Sequence, residues 1–132
     1  MMSTCSQLLR ALRGGAHDQA LAALYALDED PRRLEEARRR AADIVEDFAR
    51  RFDGEVQGAA LFSGPGRTEL GGNHTDHQHG RVLCASVVLD MLACAAPNGR
   101  NTVRIVSQGY PALEIDLDDL SPKKEEQNTS AA

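Results

Sequence analysis

Residues Ser63 to Gly80 read S-G-P-G-R-T-E-L-G-G-N-H-T-D-H-Q-H-G, and their composition differs from that of the segments on either side. These eighteen positions hold five glycines, three histidines, one arginine and two carboxylates. Glycines at this density indicate turns, or backbone that lies close to a ligand. A polar loop after an apolar segment is typical of a binding site on a rigid scaffold, and a polar surface turn has the same composition. The candidate functional site therefore lies in this stretch.

Three helices are predicted before this stretch, and together they form a helical N-terminal extension over residues 1–54. Apolar residues of the first helix share one face, and two glycines then end the pattern: Cys5, Leu8, Leu9 and Leu12, followed by Gly14 and Gly15. The second helix is predicted from Asp18 to Leu27. It should turn three leucines inward: Leu21, Leu24 and Leu27.

The third helix has the clearest start, with Asp30 as N-cap and Pro31 in the first helical position. Its apolar residues keep a helical period until the Asp53-Gly54 pair. The arginines on this helix alternate with glutamates at ion-pair spacing, which predicts a solvated face with these pairs: Glu35 with Arg39, and Glu36 with Arg40.

After residue 58 the pattern changes to that of strands, so the predicted fold class is α+β. A short strand over Ala59 to Ser63 should end at the turn signal Gly64-Pro65-Gly66. The apolar segment Arg81 to Ala96 fits two strands or one long bent strand in a covered sheet, with Asp90 at the bend. Two further strands are predicted over Thr102 to Ser107 and Leu113 to Leu117.

The composition of the 132 residues, 42% hydrophobic and 27% charged, fits one modest globular domain. A net charge of -5 argues against nucleic acid as the main partner. Cys5, Cys84 and Cys94 form no metal spacing and leave an odd thiol, which favours a reduced, cytoplasmic setting. No apolar run approaches the roughly 18 residues of a membrane span, and no secretion signal is apparent, so no membrane partner is expected.

The segment G-P-G-R-T-E-L-G-G-N-H-T-D-H resembles the galactokinase signature, which commonly reads G-R-x-N-L-I-G-E-H-T-D-Y. The likeness continues through H-G-R-V-L-C-A-S-V-V-L-D, V-R-I-V-S-Q-G-Y-P and I-D-L-D-D-L, so it covers about Leu61 to Leu120. Galactokinases share a superfamily with homoserine, mevalonate and phosphomevalonate kinases. The resemblance implies a mixed β-sheet of the GHMP-kinase N-terminal type, incomplete here. Residues 55–120 would form a partial sugar-binding domain, and residues 121–132 a tail or the start of a truncated helix.

The resemblance also implies roles for individual residues. Arg67 matches the family arginine next to the sugar hydroxyl that is phosphorylated, where a guanidinium can orient the nucleophile and offset developing charge. His74 and Asp76 match residues that hydrogen-bond sugar hydroxyls. Asn73 replaces a sugar-binding glutamate of the common signature and His77 replaces its tyrosine, which leaves the identity of the sugar open.

The implied function is ATP-dependent phosphorylation of the anomeric hydroxyl of galactose, or of a close relative, with ATP and Mg²⁺ as cofactors. Family members carry a second glycine- and serine-rich loop for the phosphates and a later aspartate proposed as base, and nothing after Leu120 resembles either. The chain is therefore expected to be the sugar-binding front part of a kinase, inactive on its own. Its sheet should then expose apolar surface.

Two alternatives belong to other classes. The chain could be a non-catalytic sugar-binding or regulatory module, since it lacks the catalytic half of the family. It could instead bind a divalent metal ion through the pattern H-x-D-H-x-H, which comprises His74, Asp76, His77 and His79. In an extended segment the first two of these residues would face away from the last two, which disfavours one shared site.

Overall fold

A computed structural model of the chain describes residues 3–27, 30–52, 56–72, 78–121 and 123–124. The elements in chain order are α1 (Cys5–Arg13), α2 (Asp18–Tyr25), α3 (Pro31–Arg51), β1 (Ala60–Gly71), β2 (Leu83–Ala95), β3 (Thr102–Ile105) and β4 (Leu113–Asp116). Helices followed by strands confirm the predicted α+β class.

The predicted mixed sheet is not found in the described ranges, where all strand pairs are antiparallel and form two two-stranded sheets, β1-β2 and β3-β4. The chain divides into two compact units, Met1–Ala96 and Pro97–Ala132. The boundaries predicted near residues 54 and 120 stay predictions.

Local capping explains why α1 and α3 begin where the sequence predicts. The Thr4 side chain accepts a hydrogen bond from the backbone N–H of Gln7, whose own side chain accepts one from the backbone N–H of Thr4. The Asp30 carboxylate accepts hydrogen bonds from the backbone N–H groups of Arg32 and Arg33. These contacts satisfy N–H groups that have no partner inside their helix.

The second helix is shorter than predicted and turns a different side chain inward. It ends at Tyr25 because Ala26 adopts a left-handed conformation with φ of 47°. Leu24, predicted to face inward, is 56% exposed, whereas Tyr25 and Leu27 are buried. The prediction for Leu24 was therefore wrong, since Tyr25 occupies the inward position at the end of this short helix.

The core of the first unit lies between the helices and the inner face of the β1-β2 hairpin. Helix α3 contacts α1, α2 and β2. The buried core residues are Cys5, Leu12, Ala41, Val45 and Ala59. Partly buried residues of the hairpin pack against them: Leu61, Leu92 and Cys94. Burial raises the pKa of the Cys94 thiol to about 11, and the nearby Cys5 adds to the shift.

Ser3 and Thr4 contact the residues that directly precede β1. The carbonyl oxygen of Ser3 accepts hydrogen bonds from the N–H groups of Gly58 and Ala59, at 3.0 and 3.1 Å. Thr4 forms an isolated antiparallel bridge with Gln57. The N-terminal cap of α1 and the start of the hairpin are therefore stabilised together.

Strand β1 continues through Gly64-Pro65-Gly66, where a turn was predicted. Pairing with β2 overrides the local turn signal in this segment, and proline is tolerated because β1 pairs with only one strand in the described structure. The register is irregular between Pro65, which lies opposite Asp90, and Arg67, which lies opposite Ser86. Three β2 residues, 87–89, thus face the single β1 residue Gly66.

Strand β2 is one long strand, which is one of the two predicted alternatives, and Asp90, predicted to mark a bend, lies next to a register irregularity. The prediction of a covered sheet is wrong for the described residues. Several large apolar side chains of the hairpin are exposed: Phe62 at 58%, Val88 at 57%, Leu89 at 81% and Met91 at 80%. Exposed apolar surface was expected of an incomplete sheet, and the hairpin has it.

The second unit is built around the hairpin of β3 and β4, which confirms the last two predicted strands with slightly shorter bounds. Val103 pairs with Ile115, and Arg104 pairs with Glu114, with 3.5 Å between Arg104 Nε and Glu114 Oε2. In the described part of the chain, no helix has the length and apolar character needed to cross a membrane.

Candidate functional site

Arg67 lies on β1 directly after the irregular pairing, and it is exposed. The preceding residue, Gly66, lets the two strands approach closely. A Cβ atom at Gly66 would lie 3.0 Å from the carbonyl oxygen of Leu89 and 3.1 Å from Cγ2 of Val87. Since real Cβ atoms rarely come this close to their neighbours, a larger residue would push β1 away from β2 just before Arg67. The geometry of this pairing therefore sets the position of Arg67.

The polar segment that follows β1 comprises residues 73–80. It lies between Gly72 and Arg81, whose backbones are close together. Gly72 has φ of 118°, and a Cβ atom there would lie 2.5 Å from the carbonyl oxygen of Arg81 and 2.6 Å from Cα of Val82. Only glycine tolerates both this conformation and this contact. Because Gly71 also pairs with Leu83, the strands hold both ends of the segment at the tip of the hairpin.

The four predicted sugar-binding residues lie outside the described residues: Asn73, His74, Asp76 and His77. Arg67 is thus the one predicted site residue that the structure places. His79 is described, exposed, and in a left-handed conformation with φ of 62°. Among the described residues no group of three or more histidine, cysteine or acidic side chains could hold a metal ion. Since three of the four proposed metal ligands lie outside the described ranges, the metal alternative stays untested.

A polar network on the inner face of the hairpin lies next to this site, and the sequence did not predict it. Asp90 Oδ2 accepts hydrogen bonds from the hydroxyls of Tyr25 at 2.8 Å and Ser63 at 2.5 Å. Its Oδ1 accepts a hydrogen bond from Arg40 Nη1 at 2.5 Å, and Arg40 Nη2 donates to the Asp90 carbonyl oxygen at 3.2 Å. Arg40 was predicted to pair with Glu36, but it reaches β2 instead. One signal was available, namely a single carboxylate inside an apolar segment.

The network stabilises the ionised form of Asp90. Burial alone would raise the pKa of this carboxyl, but the hydrogen bonds from Ser63, Arg40 and Tyr25 outweigh it and hold the pKa below its usual value. Burial, together with the hydrogen bond to Asp90, raises the pKa of the Tyr25 hydroxyl. At neutral pH the network therefore contains a carboxylate, a guanidinium and two neutral hydroxyl donors.

Comparison with known proteins finds a family model that is similar to this hairpin. The family model described as the galactokinase galactose-binding signature matches residues 46–97, which include Arg67 and the whole polar segment. This part of the chain is similar to the galactokinases. The resemblance noted in the sequence is thereby confirmed.

Individual galactokinases agree with the family model. The chain is 36% identical to galactokinase of Lactococcus lactis subsp. cremoris over 83 residues, which are 61% of this chain and 21% of that protein. It is 33% identical to galactokinase of Lactiplantibacillus plantarum over 86 residues, 63% of this chain and 22% of the relative. It is 33% identical to galactokinase of Bacillus subtilis over 76 residues, which are 55% of this chain and 20% of that protein. The chain spans about a fifth of the length of these curated relatives, and no solved structure matches it significantly.

Proposed function

We propose that this chain is the sugar-binding part of an ATP-dependent galactokinase-like enzyme. The match of the galactose-binding signature over residues 46–97 carries the proposal. The hairpin supports it, because Arg67 lies on the same strand as Gly71, and Gly72 lies against Arg81 and Val82 at the other end of the polar segment. Residues 55–120 would then be part of a GHMP-kinase N-terminal domain.

In this proposal the polar segment binds the sugar and Arg67 acts on the reacting hydroxyl. The side chains of Asn73, His74, Asp76 and His77 offer donors and acceptors for vicinal hydroxyls. Arg67 orients the anomeric hydroxyl of galactose, or of a close relative, and offsets charge on the transferred phosphoryl group. MgATP is bound mainly by groups outside these 132 residues, so the chain alone binds sugar but does not phosphorylate it.

Galactose binding by the chain is the direct test. Titration calorimetry should detect galactose binding, and Asp76→Ala should weaken it about tenfold or more, since a hydrogen bond to a charged group is lost. The control Asp43→Ala removes an exposed carboxylate on α3, outside the signature, and should leave the affinity unchanged. Equal effects of the two substitutions, or no binding by the unsubstituted chain, would contradict the proposal.

The catalytic part of the proposal has its own test. The coding sequence downstream of Ala132 should continue with a glycine- and serine-rich loop and a later aspartate. The longer product should phosphorylate galactose with ATP, and Arg67→Ala should lower kcat by about a hundredfold, with a smaller change in KM. A stop codon directly after Ala132 would instead favour the non-catalytic sugar-binding module.

A further inference from the structure

Asp90 connects four secondary-structure elements through one buried carboxylate. Its side chain is 4% exposed, and its partners come from α2 (Tyr25), α3 (Arg40) and β1 (Ser63), while Asp90 itself lies on β2. A buried carboxylate is tolerated only when it is paired and hydrogen-bonded. The two helices and two strands must therefore keep their relative positions for the network to exist.

The network lies immediately before the candidate site along both strands. Asp90 is opposite Pro65, the last regular pair before the register changes, and Ser63 precedes that pair by two residues. Beyond the change, Arg67 is opposite Ser86. Because β1 and β2 are held at the Asp90 end, the irregular pairing at Gly66 has a fixed starting point. The direction in which β1 continues to Arg67 and Gly71 follows from it.

The network also joins two parts of the sequence that the family comparison separates. Ser63 and Asp90 lie within the matched residues 46–97, whereas Tyr25 and Arg40 precede them. Residues of α2 and α3 that precede the signature thus contribute directly to the conformation of the signature strands.

We infer that Asp90 is a positioning residue for the sugar site, which anchors the hairpin to α2 and α3 so that β1 holds Arg67 and Gly71 in a fixed register against β2. The inference rests on the proposed function for its effect on galactose. Its effect on the strands is independent of any ligand. Asp90 does not touch the site itself but acts through β1.

A second ion pair in the same unit provides a matched control. Arg38 Nη2 lies 2.6 Å from Asp18 Oδ2, and Arg38 Nε donates to Asp18 Oδ1 at 3.0 Å. This pair connects α2 to α3, as part of the Asp90 network does, but both of its members are helical. Asp18→Asn should therefore weaken the helical layer and leave the strands in place.

The experiment compares the chain with its Asp90→Asn and Asp18→Asn variants in galactose titration and in amide hydrogen exchange. Asp90→Asn should lower galactose affinity about tenfold and speed exchange of the amides of residues 66–71 about tenfold or more, because the loss of charge-assisted hydrogen bonds frees the strand. Asp18→Asn should change neither by more than about twofold, even where both variants lose similar thermal stability.

Tyr25→Phe keeps the ion pair between Arg40 and Asp90 and removes one hydrogen-bond donor to Asp90. It therefore tests the same inference without replacing the Asp90 carboxylate by a neutral amide. It should give an intermediate increase in exchange confined to residues 66–71. This variant also decides the question if Asp90→Asn does not fold, since a change spread evenly over the chain would overturn the inference.

Other outcomes separate the inference from the proposed function. If no form of the chain binds galactose, the proposed function fails, while selective exchange of residues 66–71 in Asp90→Asn still supports a positioning role. If both aspartate variants lower affinity and protection in proportion to their loss of stability, Asp90 is only structural and the inference is wrong.

Discussion

One face of the β1-β2 hairpin packs against helices, and the other is open to solvent in the described structure. On the inner face, Leu61 and Leu92 lie against the core formed with α1 and α3. On the outer face, Phe62 and Met91 are 58% and 80% exposed. Both faces are apolar, which is the pattern of a strand pair that is covered on both sides. The helices therefore cover only one of the two apolar faces of the hairpin.

Truncation of one large side chain in the core and of one on the outer face should show the largest difference in unfolding free energy. Leu12→Ala removes a 2% exposed core residue and should cost about 2–5 kcal/mol of unfolding free energy. Met91→Ala, on the outer face, should change it by less than about 0.5 kcal/mol. Urea unfolding of both variants measures the contrast. A similar cost for Met91→Ala would mean that the outer face is covered in solution.

The polar contact of the inner face should give the next largest effect. Asp90→Asn should cost about 1–3 kcal/mol at neutral pH, since buried donors lose a charged acceptor. The control Asp43→Asn removes an exposed carboxylate and should change unfolding free energy by less than about 0.5 kcal/mol.

The acid range tests the same contact by titration. Because folding lowers the pKa of Asp90 below an unfolded value of about 3.9, its stabilisation is present above that pH and is lost as the pH falls through the folded-state pKa. Thermal unfolding between pH 6 and pH 2 should therefore show a shallower decline for Asp90→Asn. An unchanged decline would exclude Asp90 as a source of acid sensitivity.

The cap of α1 should contribute less than either inner-face contact. Thr4→Ala removes the acceptor for the Gln7 N–H and should cost about 1 kcal/mol. Asp43→Ala, at an exposed residue of α3, leaves this cap intact and serves as control. If the two substitutions have the same effect in urea unfolding, the capping box does not stabilise this helix.

A charge on the outer face should have the smallest effect on unfolding free energy and a clear effect on association. Met91→Lys should change unfolding free energy by less than about 0.5 kcal/mol and reduce concentration-dependent self-association, measured by sedimentation velocity. Leu120→Lys adds the same charge at a 73% exposed residue outside the hairpin. If it reduces association equally, net charge and not the outer face controls association.

Local signals allowed prediction of much of the helical part, and long-range contacts explain what was missed. Asp30 and Pro31 mark the start of α3 because capping depends on neighbouring residues alone. The turn predicted at Gly64-Pro65-Gly66 is strand because pairing with β2, more than twenty residues away, decides its conformation. Arg40 bonds to Asp90 for the same kind of reason, fifty residues along the chain.

The candidate site shows the same division. The composition of residues 63–80 located it, and the family match confirms the signature there. Arg67 was predicted on a loop but lies on a strand, because the irregular pairing at Gly66 extends β1 beyond the local turn signal. The Asp90 network was not predicted, since it depends on helices and strands meeting in space.

The closed base of the polar segment has a consequence for how this protein can change. Gly71 pairs with Leu83, and the backbone of Gly72 lies against Arg81 and Val82, so the strands fix where the segment leaves and returns. Segments of different composition, or of slightly different length, can be exchanged between these anchors without a shift in strand register. The residues between these anchors can therefore be replaced while the two glycines and their contacts are kept, and under the proposed function such replacements would change the sugar preference.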